Sequence, residues 1–172
     1  MNEQELEQKL VDAYDKMMGR INGVIASAEQ HALPTLQNNI NKAKQQAIEL
    51  KEVSKDEADK IASYLQRDIH LAAEYLEQSG ENFSTWFNFD IELIEARLLE
   101  AFSNVADKTR LELAQLAEQA KQAQQYHTGE ITAIGTLTCT ACDTVMHFKK
   151  TSRIPPCPKC HKTEFIRTRH KS

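Results

Sequence analysis

A chain of 172 residues with 41% apolar but only 6% aromatic side chains has room for a helical domain and one small module. Its formal charge is −4, and no apolar run approaches the length of a bilayer span, which excludes a helical membrane protein. Residues 1–10 are polar and acidic, unlike a secretory or transit signal, so the expected location is the cytoplasm. There thiols stay reduced, and spaced cysteine pairs bind metal more often than they form disulfides.

The first predicted element carries Leu10, Tyr14, Met17, Ile21, Val24 and Ala28 at alternating spacings of four and three, one apolar stripe on a helix. Pro34 should end or kink it at Leu33. A second stripe follows through Leu36, Ile40, Ala43, Ala47 and Leu50. Ser54-Lys55-Asp56-Glu57 then reads as a capping box, with Ser54 as the cap and Glu57 returning the bond. The third helix carries Ala58, Ile61, Leu65, Ile69, Ala72 and Leu76, with Gly80 as its stop.

Phe83, Trp86, Phe87 and Phe89 form an aromatic cluster that we read as packing. The last helix runs through Ile91, Ile94, Leu98, Phe102 and Val105, slips in phase near Asp107–Arg110, and resumes through Leu113, Leu116 and Ala120. Gly129 reads as its end signal. Acidic pairs such as Asp56 and Asp59 sit at helical spacing and read as a solvated face. The expected helical region is residues 1–128, folded either as a bundle or as coiled-coil hairpins.

Composition changes beyond this point. Residues 131–138, 145–149 and 163–168 are short β-prone runs. Residues 130–172 hold eight Lys/Arg against three Asp/Glu, whereas the preceding residues hold 13 against 22. Three short strands bury too little surface to fold unaided. The cysteines supply the missing constraint: Cys139, Cys142, Cys157 and Cys160 follow the pattern C-x2-C-x14-C-x2-C. A two-residue gap lets both sulfurs of a tight turn converge on one ion, and two such turns complete a tetrahedral four-thiolate zinc site. Asp143 and His161 follow the two turns, where a positive φ is expected and tolerated by such residues.

Other chemistries fit parts of this pattern. Cys157-x-x-Cys160-His161 has c-type haem spacing, but haem attachment needs export and leaves Cys139 and Cys142 without a role. A rubredoxin-like iron site would use the same four thiolates. A thioredoxin-like redox pair needs a parallel α/β context that is absent. His147 and His161 read as exposed ribbon residues, since four cysteines already fill the shell. With no position left for water or substrate, and no nucleophile elbow, phosphate-binding loop or HExxH sequence, the expectation is a non-enzyme.

Residues 126–130 (YHTGE), 135–139 (GTLTC), 154–160 (IPPCPKC) and 163–167 (TEFIR) resemble the bacterial zinc-ribbon family typified by YbeL. The resemblance implies a mainly α protein, with a helical N-terminal region and a small C-terminal β zinc ribbon over residues 129–172. It also implies one structural Zn²⁺ held by the four cysteines. A fainter analogy links Asp56-Glu57-Ala58-Asp59 to the acidic hairpin tip of factors that enter the secondary channel of RNA polymerase.

The expected function is that of a zinc-binding, non-enzymatic interaction protein of undefined target, with a protein partner and no membrane contact. Self-association is compatible with the stripes. The alternative is a nucleic-acid- or RNA-polymerase-associated factor that binds through an acidic tip or through Lys149, Lys150, Arg153, Lys159, Lys162, Arg167 and Arg169.

Overall fold

A computed structural model describes residues 2–27, 35–79, 96–120 and 125–167. Pro34, Gly80, the Phe83–Phe89 cluster, Ile91, Ile94 and Arg169 lie outside them, as do the side chains of Leu116 and Ala120. Four described helices, α1 (Glu3–Ser27), α2 (Leu36–Glu49), α3 (Lys55–Ser79) and α4 (Ala96–Ala120), precede six short strands. Among the described residues, no helix is long and apolar enough to cross a membrane.

The helices form a bundle: α1 packs on α2, α3 and α4, and α3 packs on both α2 and α4. A helix with three neighbours must bury a wide arc. Accordingly α1 buries Ala13, Met18 and Ile25 beside the expected Tyr14, Met17 and Ile21, while Leu10 and Val24 are only partly covered. Leu36, Ile40, Ala43 and Ala47 are buried as the second stripe predicts. Leu50 is not: it is 64% exposed at the C-cap of α2, where the chain has already turned away from the core. Ala58, Ile61, Leu65, Ile69 and Ala72 line the core from α3, and Leu98, Phe102, Val105 and Leu113 from α4. The expected phase slip leaves α4 continuous, with Thr109 buried and its hydroxyl donating to the Val105 carbonyl at 2.5 Å.

Local signals set the helix ends. The Thr35 hydroxyl accepts from the Asn38 amide, and Glu112 of α4 accepts from the Leu36 amide at 2.7 and 2.9 Å. A carboxylate suits the positive end of a helix. The capping box is reciprocal, with the Ser54 amide donating to Glu57 at 2.7 Å and the Glu57 amide to Ser54 Oγ at 3.3 Å. Between α2 and α3, Lys51 adopts φ 54°. Its amide bonds to the Ile48 carbonyl and that of Glu52 to the Ala47 carbonyl, the paired bonds of a Schellman ending.

The strands β1 (Gln125–His127), β2 (Ile131–Thr132), β3 (Gly135–Cys139), β4 (Val145–Phe148), β5 (Ser152–Arg153) and β6 (Glu164–Arg167) make two antiparallel sheets. The larger has the order β1-β6-β3-β4, and β2 pairs with β5. β1 places residues 125–127 in the ribbon, with Tyr126 opposite Phe165, so the ribbon sheet begins ahead of residue 129. Gly129 does not end a helix: at φ 94° it turns the chain out of β1, and its amide donates to the Ile154 carbonyl at 2.8 Å.

Helices and ribbon share one continuous core. Residues 67–73 of α3 are buried at every position, which an amphipathic surface helix is not. The bundle covers one side of this segment and the ribbon the other: α3 packs on β2, and α1 on β2 and β5.

Candidate metal centre

Two chain reversals of the same design build the site. In the first, the Asp143 amide donates to the Cys139 carbonyl at 3.0 Å and the Cys139 amide to the Thr144 carbonyl at 2.9 Å. In the second, the His161 amide donates to the Cys157 carbonyl at 2.9 Å and the Cys157 amide to the Lys162 carbonyl at 3.0 Å. Asp143 and His161 have φ of 55° and 59°, the left-handed conformation the spacing predicts. Each reversal aims two sulfurs inward. Cys139 Sγ lies 3.6 Å from Cys160 Sγ, Cys142 Sγ lies 3.6 Å from Cys157 Sγ, and all four fall within 4.8 Å of one another.

A tetrahedral zinc site has metal–sulfur bonds of about 2.3 Å, which puts its sulfurs about 3.8 Å apart. The observed separations suit that polyhedron and are far longer than a disulfide bond. Cys139 and Cys157 are buried, with Cys142 and Cys160 partly so. Amides of Cys160 and Lys159 pull the Cys157 thiol down to about 6, and the Thr144 hydroxyl and amide lower Cys142. Against the pull of the Lys162 amide, Cys142 and the other nearby sulfurs push Cys160 up to about 12. Four thiolates this close repel one another, and a dication is the charge that lets all four ionise.

Among the described residues this is the only group of His, Cys, Asp or Glu arranged to hold a metal ion. His147 stays outside it and bonds through Nδ1 to Thr136 Oγ1 at 3.0 Å, and His161 is exposed. The sequence profile of the family described as a zinc-ribbon containing domain matches residues 24–169. The chain belongs to this zinc-ribbon family.

Its relatives include the uncharacterized protein YbeL of Escherichia coli K12, 26% identical over 129 residues, which cover 74% of this chain and 79% of YbeL. YbeL of strain O157:H7 matches to the same extent. No solved structure matches the chain. As in the family, the four cysteines are a zinc site able to hold one ion.

Among the described residues, the basic candidates of this zinc-ribbon chain do not form one patch. Lys149 and Lys150 are exposed in the turn after β4, and Lys159 and Lys162 are exposed at the second cysteine turn. The four residues of β4 separate the first pair from the metal end, about 13 Å at 3.3 Å per residue. Arg153 is half-exposed and lies 3.2 Å from Glu3 of α1. Arg167 faces inward with a side chain only 4% exposed, so it is not offered to an external partner.

Arg167 enters a buried polar network centred on Asp68 of α3, which is 0% exposed. Asp68 accepts from Tyr14 Oη at 2.7 Å, Tyr126 Oη at 2.7 Å, the Ala133 amide at 2.9 Å and Arg67 Nε at 3.2 Å. Arg167 Nη2 stands 3.8 Å away. Arg167 itself donates to Tyr126 Oη, the Ile134 carbonyl and Thr132 Oγ1 at 2.9–3.1 Å. Arg67 pairs with Glu130, donates to the Ile131 carbonyl at 3.1 Å, and stacks 3.7 Å from the Tyr126 ring centre. Burial pushes the Asp68 carboxyl up, but Arg67, Arg167, the Ala133 amide and Tyr126 outweigh it and hold Asp68 below its ordinary value.

Sequence reasoning missed this cluster. The available signal was the adjacent pair Arg67-Asp68, set among apolar residues between Ile61 and Ala73. Gly135 makes room for it: at φ 145°, a Cβ there would overlap the Arg167 guanidinium.

Proposed function

We propose that the chain is a cytoplasmic, non-enzymatic zinc-binding interaction protein whose acidic helices engage a protein partner, with the ribbon as their rigid end piece. The observation that carries this reading is where the ribbon spends its positive charge. Arg167 points at Asp68 and Arg153 at Glu3, while Thr151 Oγ1 donates to Asp15 at 2.6 Å. With Arg153 and Arg167 turned to the chain's own helices, the described ribbon offers a phosphate backbone lysines alone. Four sulfurs also complete the zinc shell, which supports a structural rather than a hydrolytic metal.

The experiment is chromatography of the zinc-loaded chain on immobilised nucleic acid, beside capture of partners from lysate with and without nuclease. The expected result is elution in the flow-through at low salt and nuclease-resistant capture. Retention that falls steeply with salt overturns the reading. That outcome belongs to a second reading, a nucleic-acid-associated factor, which the exposure of Lys149, Lys150, Lys159 and Lys162 favours. Binding of RNA polymerase through an acidic tip draws no support from the geometry: Asp59 bonds to Lys44 at 2.8 Å, and Glu57 to Lys9 at 2.8 Å. The neighbouring turn is tied to α1 by Arg20 and Glu52, with two contacts of 2.8 Å.

A further inference from the structure

We infer that the ribbon is a metal-locked cap: the bound ion holds Tyr126 and Arg167 on Asp68, and its loss uncovers a face of α1 and α3. This stands apart from what the helices bind. The argument starts from connectivity. Cys139 is the last residue of β3 and pairs with Phe165 of β6, while Cys160 lies four residues before β6 begins. β6 carries Arg167 and is the strand that holds β1, with Tyr126 opposite Phe165. The chain from β2 into β3 supplies the Ala133 amide and the Ile134 carbonyl. The metal end of the sheet therefore sets the register of every ribbon group that reaches Asp68.

Without the ion these short strands lose the constraint that orders them. Three of the five contacts on Asp68 then disappear: the Tyr126 hydroxyl, the Ala133 amide and the Arg167 guanidinium. Those that stay, Tyr14 and Arg67, belong to the helices. Within the shared core, the interface is built around the charged and hydroxyl groups at Asp68, which water can satisfy once the ribbon leaves. A wholly apolar contact has no such substitute. The bundle persists because its own core of Met17, Ile21, Ile61 and Phe102 lies among the helices. What opens is a surface bearing Tyr14, Tyr64, Arg67 and Asp68.

Hydrogen exchange on the full chain tests this, comparing zinc-loaded protein, chelated protein and zinc-loaded Asp68→Asn. Chelation should accelerate exchange about tenfold or more in residues 64–71 and 12–15 along with the ribbon, leave residues 40–47 of α2 unchanged, and reverse on adding zinc. Asp68→Asn should still bind one zinc per chain yet show the same acceleration in 64–71. If Asp68→Asn fails to fold, zinc-loaded Arg167→Gln serves instead, since it leaves the helix sequences intact. Unchanged exchange in 64–71 after chelation overturns the cap. So does a zinc-loaded variant that keeps wild-type protection there, or one that loses its zinc.

Discussion

Asp68 shows how a buried carboxylate is kept charged. Two guanidiniums, two hydroxyls and one amide surround it, so the ionised form carries little unmet desolvation cost. The same arrangement acts on its neighbours. Burial raises the Tyr14 and Tyr126 hydroxyls above the ordinary tyrosine value, and the Asp68 charge adds to the shift. The linkage has a definite sign. A raised pKa gives stability that is whole below pH ~10 and lost as pH climbs past it, while the lowered Asp68 gives stability that is whole above pH ~4 and lost below it. In an alkaline absorbance titration of the four tyrosines, Tyr14 and Tyr126 should ionise only together with unfolding. A titration in which all four ionise near pH 10 before helicity falls contradicts this.

Among the elements, the turn between α2 and α3 carries the clearest local strain. Lys51 holds φ 54°, which costs a residue with a Cβ about 1–2 kcal/mol. Lys51→Gly removes that cost but adds freedom to the unfolded chain, so the net gain should be about 0.5–1 kcal/mol. Ser54→Ala, a few residues on, breaks the capping box and should lose about 1 kcal/mol. Urea midpoints of the two variants should move in opposite directions, and parallel shifts refute this account of the turn. The capping box was legible because a cap depends on a few neighbouring residues, whereas nothing in the type of Lys51 marks a positive φ. The stripes of α2 and α3 were legible for a similar reason, since periodicity reports the face toward the bundle. The second face of α3 was not, because what covers Arg67 and Asp68 is a ribbon beginning nearly sixty positions later. Likewise β1 escaped notice: three residues carry no periodicity, and only their pairing with β6 makes them a strand.

For the whole molecule, the cysteine spacing gave the metal site in full because metal chemistry dictates ligand type and spacing together. The docking of the ribbon was not given in the same way, since the charge asymmetry fits an external anionic partner as well as the chain's own acidic helices. Native protein should carry one zinc per chain with four sulfur neighbours, checked by metal analysis and X-ray absorption; a shell containing nitrogen contradicts the geometry. Because helices and ribbon share a core, chelation should also lower the thermal midpoint followed by helical circular dichroism. An unmoved midpoint would mean the two parts melt independently. The pairing of β1 with β6 has one more consequence. Gln125 lies opposite Ile166, so the first and last described strands of the ribbon end side by side. Topologically the ribbon is a closed loop, a unit that can be gained, lost or transplanted at a single joint without rethreading its host. Only the docking groups would then need to be found again on the new neighbour.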